Sequence, residues 1–323
     1  MTSETRNGGE RLVVIANPRA AGGRVHARRD AIMRAVDRAF AHARIVWTEG
    51  PGHATEIART EAPGCDIVAA LGGDGTCSEV VNGLVDAAGT VTNPKVVFTV
   101  LPLGTGGDLV RTLQIPATLS GALWVASTGM TLPLDLGAIT LADGTRRVFV
   151  NVLGVGANAE VCARANRSSK RLGGVFTFLP AVLSTALSYR PRPLRWTAEG
   201  PEGRRELSLD TLGAFVANGS YCGAGLYVGR DGSMADGYFD VTIVPTVSAA
   251  QVPRMLPRLY DGSLGDAPGV VRFRASTLTV EGDVDTEADG ELLPPGPVTV
   301  RVLPRILQVR AGWLKPPAAP ARS

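Results

Sequence analysis

Four cysteines and three histidines in 323 residues leave little material for a disulfide framework or a metal centre. Cys65, Cys77, Cys162 and Cys222 lie far apart with no CxxC pair, and His26, His42 and His53 have no ligand spacing to one another or to the cysteines. A zinc site is excluded on that ground, and reduced thiols in apolar surroundings, as in a cytosolic protein, are expected. Charge of one sign is also scarce: a net +3 is too weak a field to imply nucleic acid as a partner. Long hydrophobic runs are missing as well. The longest, 173–189, is interrupted by Pro180 and carries Thr177, Ser184, Thr185 and Ser188, so it reads as a packed or interfacial helix and not as a bilayer span. Residues 1–10 are polar and lack the apolar centre of a signal peptide, and a short disordered tail is expected there.

What the chain does have is 45% apolar residues, enough for well-buried cores in two domains. Its first part alternates between two periodicities. Apolar runs at 11–16, 43–48, 66–71 and 96–101 are of buried-strand type, and helical patterns follow at 25–40, 53–62, 78–87 and 108–113. Strand and helix in alternation predict a parallel sheet covered by helices on both faces.

Three of those strands end in glycine-bearing turns: NPRAAGG (17–23), LGGDGT (71–76) and PLGTGGD (102–108). A strand that stops in glycines and restarts as a helix leaves backbone N–H groups free to hold a phosphate, and in an open α/β sheet such turns meet at one edge. Gly72, Gly73 and Gly75 allow close backbone approach, while Thr76 offers a hydroxyl and Asp74 a carboxylate. The central loop is also explained as a plain β-to-α turn with Asp74 as a helix cap; the convergence of three turns favours a phosphate cradle. None of them fits GxxxxGK[ST] or GxGxxG, which excludes a Walker-type or dinucleotide fingerprint site.

Near Leu132 the pattern changes to short strand-like runs at 133–140, 147–153, 194–198, 211–217, 239–244, 270–275 and 278–280, followed by 298–303 and 306–309. Asp143-Gly144 supplies a hairpin turn, and the density of strands predicts an antiparallel sandwich or barrel-like domain. The last residues, 315–323, are expected as a loose tail. Two stretches in this part carry oxygen ligands or acids. One is the Gly-bent loop 230–240 (RDGSMADGYFD), and the other is 283–291 (DVDTEADGE), with five carboxylates in nine residues. An Asp-Gly turn and a solvated acidic hairpin explain them as well as chemistry does. Arg164, Arg167, Lys170 and Arg171 precede the apolar stretch, and Arg190, Arg192 and Arg195 follow it. This is either a core helix with solvated ends or a segment suited to an anionic membrane surface.

The succession NPRAAGG, LGGDGTCSEVVNGL, LPLGTGGDLVRTL and a closing Asp289-Gly290-Glu291 resembles the diacylglycerol kinase catalytic-domain family, bacterial lipid kinases related to sphingosine and ceramide kinases. The GGDGT element alone is shared with NAD kinases and 6-phosphofructokinases. The resemblance implies an α/β N-terminal domain of NAD kinase/diacylglycerol kinase type (11–132, completed by 303–314) and a C-terminal antiparallel β-sandwich (133–302). It implies ATP as phosphoryl donor, held at Asn17, Pro18, Arg19, Ala20, Ala21, Thr48, Gly72, Gly73, Asp74, Gly75, Thr76, Gly104 and Thr105. A structural Mg2+ would sit at Ser233, Asp236 and Tyr238. Asp289 and Glu291 would be the general base pair, with Asp74 as the rival base, as in the related sphingosine kinases. Two positions depart from the family pattern: Gly107 stands where it has asparagine and Ala235 where it has a second acid.

The activity so implied is phosphorylation of a lipid hydroxyl in a cytoplasmic, peripherally membrane-associated enzyme. Diacylglycerol is the default acceptor, a ceramide or sphingoid base the alternative, and a homodimer is compatible. An NAD kinase is disfavoured by NPRAAGG and the DGE ending. A catalytically weak nucleotide-binding regulator is the reading that Gly107 and Ala235 motivate.

Overall fold

The computed structural model describes residues 7–103, 107–167, 174–230, 232–248 and 251–312, which fall into two compact units, one of Met1–Leu134 with Arg305–Leu314 and one of Asp135–Pro304 with Lys315–Ser323. In the first unit the elements run β1 (Asn7–Ala16), α1 (Arg24–Ala27), α2 (Arg29–Ala39), β2 (Phe40–Trp47), α3 (His53–Glu61), β3 (Ile67–Gly72), α4 (Asp74–Leu84), β4 (Val97–Pro102), α5 (Asp108–Thr112) and α6 (Leu119–Thr128). The strands are parallel, in the order β2-β1-β3-β4, because continuous apolar runs such as IVAALG and VFTVLP are buried at every residue and need cover on both faces. A late stretch of chain adds to this sheet, Gln308 pairing with Val97 in parallel. The register Ala16↔Trp47, Ala16↔Leu71 and Leu71↔Leu101 brings the carboxyl ends of four strands level with one another.

The disordered tail expected over 1–10 is contradicted at Asn7–Glu10, which belong to β1. The cause is a long-range ion pair: Glu10 takes both guanidinium nitrogens of the buried Arg310, at 2.8 and 2.9 Å, and a hydrogen bond from Asn7 at 2.6 Å. Residues 1–6 lie outside the described residues.

The second unit comprises β5 (Met130–Leu141), β6 (Arg146–Phe149), β7 (Val152–Gly156), α7 (Ala157–Arg167), α8 (Gly174–Ser188), β8 (Arg192–Gly200), β9 (Gly203–Ala217), β10 (Tyr221–Cys222), β11 (Leu226–Tyr227), β12 (Phe239–Pro245), α9 (Val252–Asp261), β13 (Val271–Ala275), β14 (Thr277–Glu281), β15 (Thr286–Ala288), β16 (Glu291–Leu292) and β17 (Val298–Ala311), the first and last of these starting or ending in the other unit. Strands β16-β15-β7-β9-β8-β14 pair antiparallel in that order, with β12 and β13 branching from β9, also antiparallel. Asp143-Gly144 makes the expected hairpin between β5 and β6, with Gly144 at φ +85° and the Asp143 carboxylate accepting from Thr145 N at 2.8 Å. Alternate inward residues build the core, where Phe149 and Phe239 stack with ring centroids 5.5 Å apart and the buried Trp196 donates to Thr211 at 3.2 Å.

Three differences from the expected elements have physical causes. The run 147–153 is not one strand: it breaks at Val150-Asn151, whose N–H groups turn toward a carboxylate instead of a neighbouring strand. The runs 298–303 and 306–309 are one strand, β17, bent at Arg305 with φ +51°. Helices α6, α7 and α9 lie in stretches for which the sequence patterns predict no element.

Candidate active site

At the level strand ends of the first unit, the NPRAAGG and GGDGT turns are tied together. Asn17 N donates to Leu71 O at 3.0 Å and the Asn17 side-chain amide donates to Thr76 Oγ1 at 3.3 Å, while Asn17 Oδ1 accepts from Arg19 N at 2.9 Å. Ala21, Gly22 and Gly23 all have positive φ, so the chain curls through Pro18, Arg19 and Ala20 directly into α1. Thr48 is buried and its N–H donates to Ala16 O at 2.9 Å. Asn17, Arg19, Thr48, Thr76 and Glu79 line a solvent-open cleft of about 130 Å³.

The glycines of the central loop divide the work in a way their types do not reveal. None of Gly72, Gly73 and Gly75 has positive φ. Gly72 is required sterically: a Cβ there would stand 2.4 Å from Thr76 Oγ1. At Gly73 and Gly75 a Cβ would meet nothing within 4 Å, which leaves room beside the first turn of α4 for a ligand to approach the chain.

Asp74 points toward the third loop. Its carboxylate accepts from Gly107 N at 3.2 Å and Leu109 N at 3.3 Å, capping the first turn of α5 from outside that helix. Burial pushes its carboxyl above the usual carboxylate range, and those backbone donors pull the other way. Of the expected third-loop residues, Gly104 and Thr105 lie outside the described residues.

In the second unit the acidic stretch is built around Asp289, which sits at φ +50° in the turn between β15 and β16. Its carboxylate accepts three backbone N–H groups: Val150 at 2.8 Å, Asn151 at 2.9 Å and Val152 at 3.2 Å. Burial nevertheless dominates and pushes the carboxyl up to about 6. Glu291 is more open and pairs with Arg147 at 2.9 Å. Glu287, two residues before Asp289, accepts from Gly290 N at 2.9 Å, and burial pushes its carboxyl up to about 8. Sequence reasoning missed Glu287, Asn151 and Asn218. Asn151 and Asn218 are buried polar residues of the same cluster. Asn218 donates to Val150 O at 2.7 Å and to Asp135 O at 2.8 Å, and Asn151 O accepts from Asn218 N and Gly219 N.

Ser233, Asp236 and Tyr238 are brought together in the 232–240 loop, but not as a cation shell. Asp236 accepts from Ser233 N at 3.0 Å and Tyr238 N at 3.1 Å, and its outer oxygen is paired with the Arg274 guanidinium. The neighbouring acid, Asp240, accepts from Gly232 N at 2.7 Å and has Arg274 and Arg272 at 3.7 and 3.9 Å. A hard divalent cation wants several oxygens facing open space; here the carboxylates already face guanidinium groups, so these residues do not fit Mg2+. Among the described residues no group of three or more His, Cys, Asp or Glu side chains could hold a metal ion.

The basic residues around α8 are mostly engaged locally. Arg164 donates to Glu160 at 2.7 Å and to the hydroxyls of Ser184 and Ser188, Arg192 pairs with Asp283 and Asp285, and Arg195 with Glu206. Arg167 and Arg190 are exposed. Lys170 and Arg171 lie outside the described residues. Among the described residues no helix is long and apolar enough to cross a membrane.

Comparison with known proteins adds the following. Residues 11–139 match the diacylglycerol kinase catalytic domain, and residues 151–311 match the YegS C-terminal NAD kinase beta sandwich-like domain. The chain is 30% identical over 303 residues to a diacylglycerol kinase of Mycobacterium tuberculosis (strain ATCC 25618 / H37Rv), covering 93% of this chain and 94% of the relative. To a diacylglycerol kinase of Staphylococcus aureus (strain Newman) it is 29% identical, over 76% of this chain and 74% of the relative. A crystal structure of a diacylglycerol kinase from Bacillus anthracis str. Sterne superposes with a TM-score of 0.69 at 20% identity, covering 94% of this chain and 97% of that one. A second crystal structure from the same strain gives 0.76 at 21% identity, over 96% and 98%. At these identities the likeness to the solved structures concerns the fold.

Proposed function

Because the chain belongs to the diacylglycerol kinase family and is a lipid kinase, we propose that it transfers the γ-phosphoryl group of ATP to diacylglycerol, giving phosphatidic acid. The observation that carries the donor side is the tie between Asn17 and Thr76, which joins two glycine-bearing turns into one anion-binding edge beside the cleft lined by Thr48. The triphosphate lies on the N–H groups around Gly73 and Gly75, with Mg2+ travelling on its phosphates as part of the substrate. Asp74 acts as a positioning residue that holds the third loop against the second through Gly107 and Leu109.

Phosphoryl transfer asks mainly for positioning and for a group that accepts the hydroxyl proton. Asp289 is the residue we assign to that step. Three N–H donors hold its orientation, one lone-pair position on Oδ2 is left for the hydroxyl, and a pKa of about 6 suits a base working near neutrality. Glu291, steadied by Arg147, helps orient the acceptor. Since a diacylglycerol is bilayer-borne, the enzyme works at a membrane surface, where exposed cations such as Arg167 and Arg190 each contribute about 1 kcal/mol near anionic headgroups.

The test is transfer of γ-labelled phosphate from ATP to diacylglycerol, ceramide or a sphingoid base, each presented in anionic vesicles. Label in phosphatidic acid, falling as salt rises, is the expected result. Label confined to ceramide or sphingoid products would reassign the acceptor, and ATP binding without transfer to any lipid would favour a regulator.

A further inference from the structure

The loop closing the second unit contains a cation of its own. We infer that the Arg274 guanidinium stands where the family resemblance expects a structural Mg2+, so that the 232–240 loop is closed by an arginine from β13 and needs no bound metal.

Three observations converge on this. Asp236 is almost fully buried, with a side chain 4% exposed, and a buried carboxylate requires a counter-charge; Arg274 is the group paired with it. The second buried acid, Asp240, 1% exposed, has the same guanidinium at 3.7 Å and Arg272 at 3.9 Å, while a third buried carboxylate, Asp135, takes the Gly237 N–H of the loop at 2.7 Å. The Arg274 guanidinium also lies 4.9 Å from the centre of the Tyr238 ring, a cation–π contact that a hydrated Mg2+ would not make. Position 235 is alanine, which leaves the loop one acid short of the family pattern. Register explains how the arginine arrives. Arg274 pairs with Asp240 across the β12–β13 ladder, so its side chain stands beside the loop that runs into β12.

The inference concerns the folded protein and does not depend on which lipid is phosphorylated or on whether ATP is the donor. It is tested without nucleotide. Wild-type protein is dialysed against EDTA, its metal content is measured, and its thermal unfolding is followed with and without millimolar MgCl2. No stoichiometric divalent metal and no Mg2+-dependent shift are expected. In Arg274→Ala the buried Asp236 loses its counter-charge while Asp240 keeps Arg272, so Tm should fall and a Mg2+-dependent rise should appear, because an ion that binds only the native state raises its stability. Arg274→Lys keeps the charge, loses the planar fork and should fall between the two. One equivalent of Mg2+ retained through dialysis, or a wild-type Tm that drops on chelation, would overturn the inference whether or not the variants fold. So would an Arg274→Ala protein with the wild-type Tm and no response to Mg2+.

Discussion

Replacing Asp289 by asparagine separates a chemical role from a structural one, because the two stability terms it changes oppose each other. Asparagine tolerates the φ of +50° at this position, so the backbone is not strained. Its amide keeps one oxygen, which can still take the Asn151 and Val152 N–H groups, but the NH2 then faces the buried Val150 N–H. Leaving that donor unsatisfied costs about 1–3 kcal/mol. Against this, burial raises the native carboxyl from 3.8 to about 6, so keeping it ionised at neutral pH costs about 3 kcal/mol that the neutral amide avoids. The terms offset each other, and the Tm of Asp289→Asn at pH 7 should lie within a few degrees of wild type.

Turnover should not be spared. Loss of a general base lowers the rate by about 100-fold or more, with the Michaelis constant for ATP nearly unchanged. The wild-type rate should also fall as the pH drops through about 6, where Asp289 takes up a proton, and that limb should vanish from the residual activity of the variant. Glu291→Gln should lower the rate with a stability change under about 1 kcal/mol, since its pair with Arg147 is half-exposed. Asp74→Asn should raise the Michaelis constant for ATP by loosening Gly107 and Leu109. The assay is initial rates in mixed vesicles alongside thermal unfolding. An Asp289→Asn enzyme with the wild-type rate, together with an Asp74→Asn enzyme that binds ATP normally and does not turn over, would refute the reasoning and move the base to Asp74.

Two further outcomes follow from the first unit. Gly72→Ala would force a Cβ to within 2.4 Å of Thr76 Oγ1 and push Thr76 off Asn17, so the ATP-induced thermal shift should be lost, while Gly73→Ala, with nothing within 4 Å, should leave the fold intact. Glu10→Gln should destabilise by about 2–3 kcal/mol in chemical denaturation, at the low end for a broken buried pair because Glu10 is a third exposed whereas Arg310 is buried. Arg310 holds the Glu10 carboxyl below its ordinary 4.5, so this stabilisation is full above that value and disappears as the pH falls through the lowered one. Wild-type protein should therefore lose stability on acidification more steeply than Glu10→Gln, and parallel profiles would contradict the pairing.

What was legible in the sequence was whatever a few neighbouring residues determine. The fully buried β3 and β4 announce themselves as apolar runs, and the turns after them as glycines, because strand and turn preferences act within a handful of positions. Helix α6 was passed over because LSGALWVAST has little polar periodicity: Trp124 is 62% exposed on a face where a polar residue would have marked the helix. Asp74 was legible as a cap, but its partners are Gly107 and Leu109 and not its own helix, and no spacing rule connects a carboxylate to a helix start more than thirty residues on.

The same limit governs the 232–240 loop. Ser233, Asp236 and Tyr238 suggest a metal only through the family resemblance, which a local stretch carries, whereas the arginine paired with Asp236 comes from a strand 38 positions away. Arg274 in its own context, VRFRA, is only an alternating strand residue. Its meaning arises from the antiparallel register that sets it opposite Asp240. A cation requirement can thus be read from a run of acids, but the identity of the cation depends on which strand the fold pairs alongside. Where that strand supplies an arginine, the acids that would otherwise hold a metal become the buried half of an ion pair.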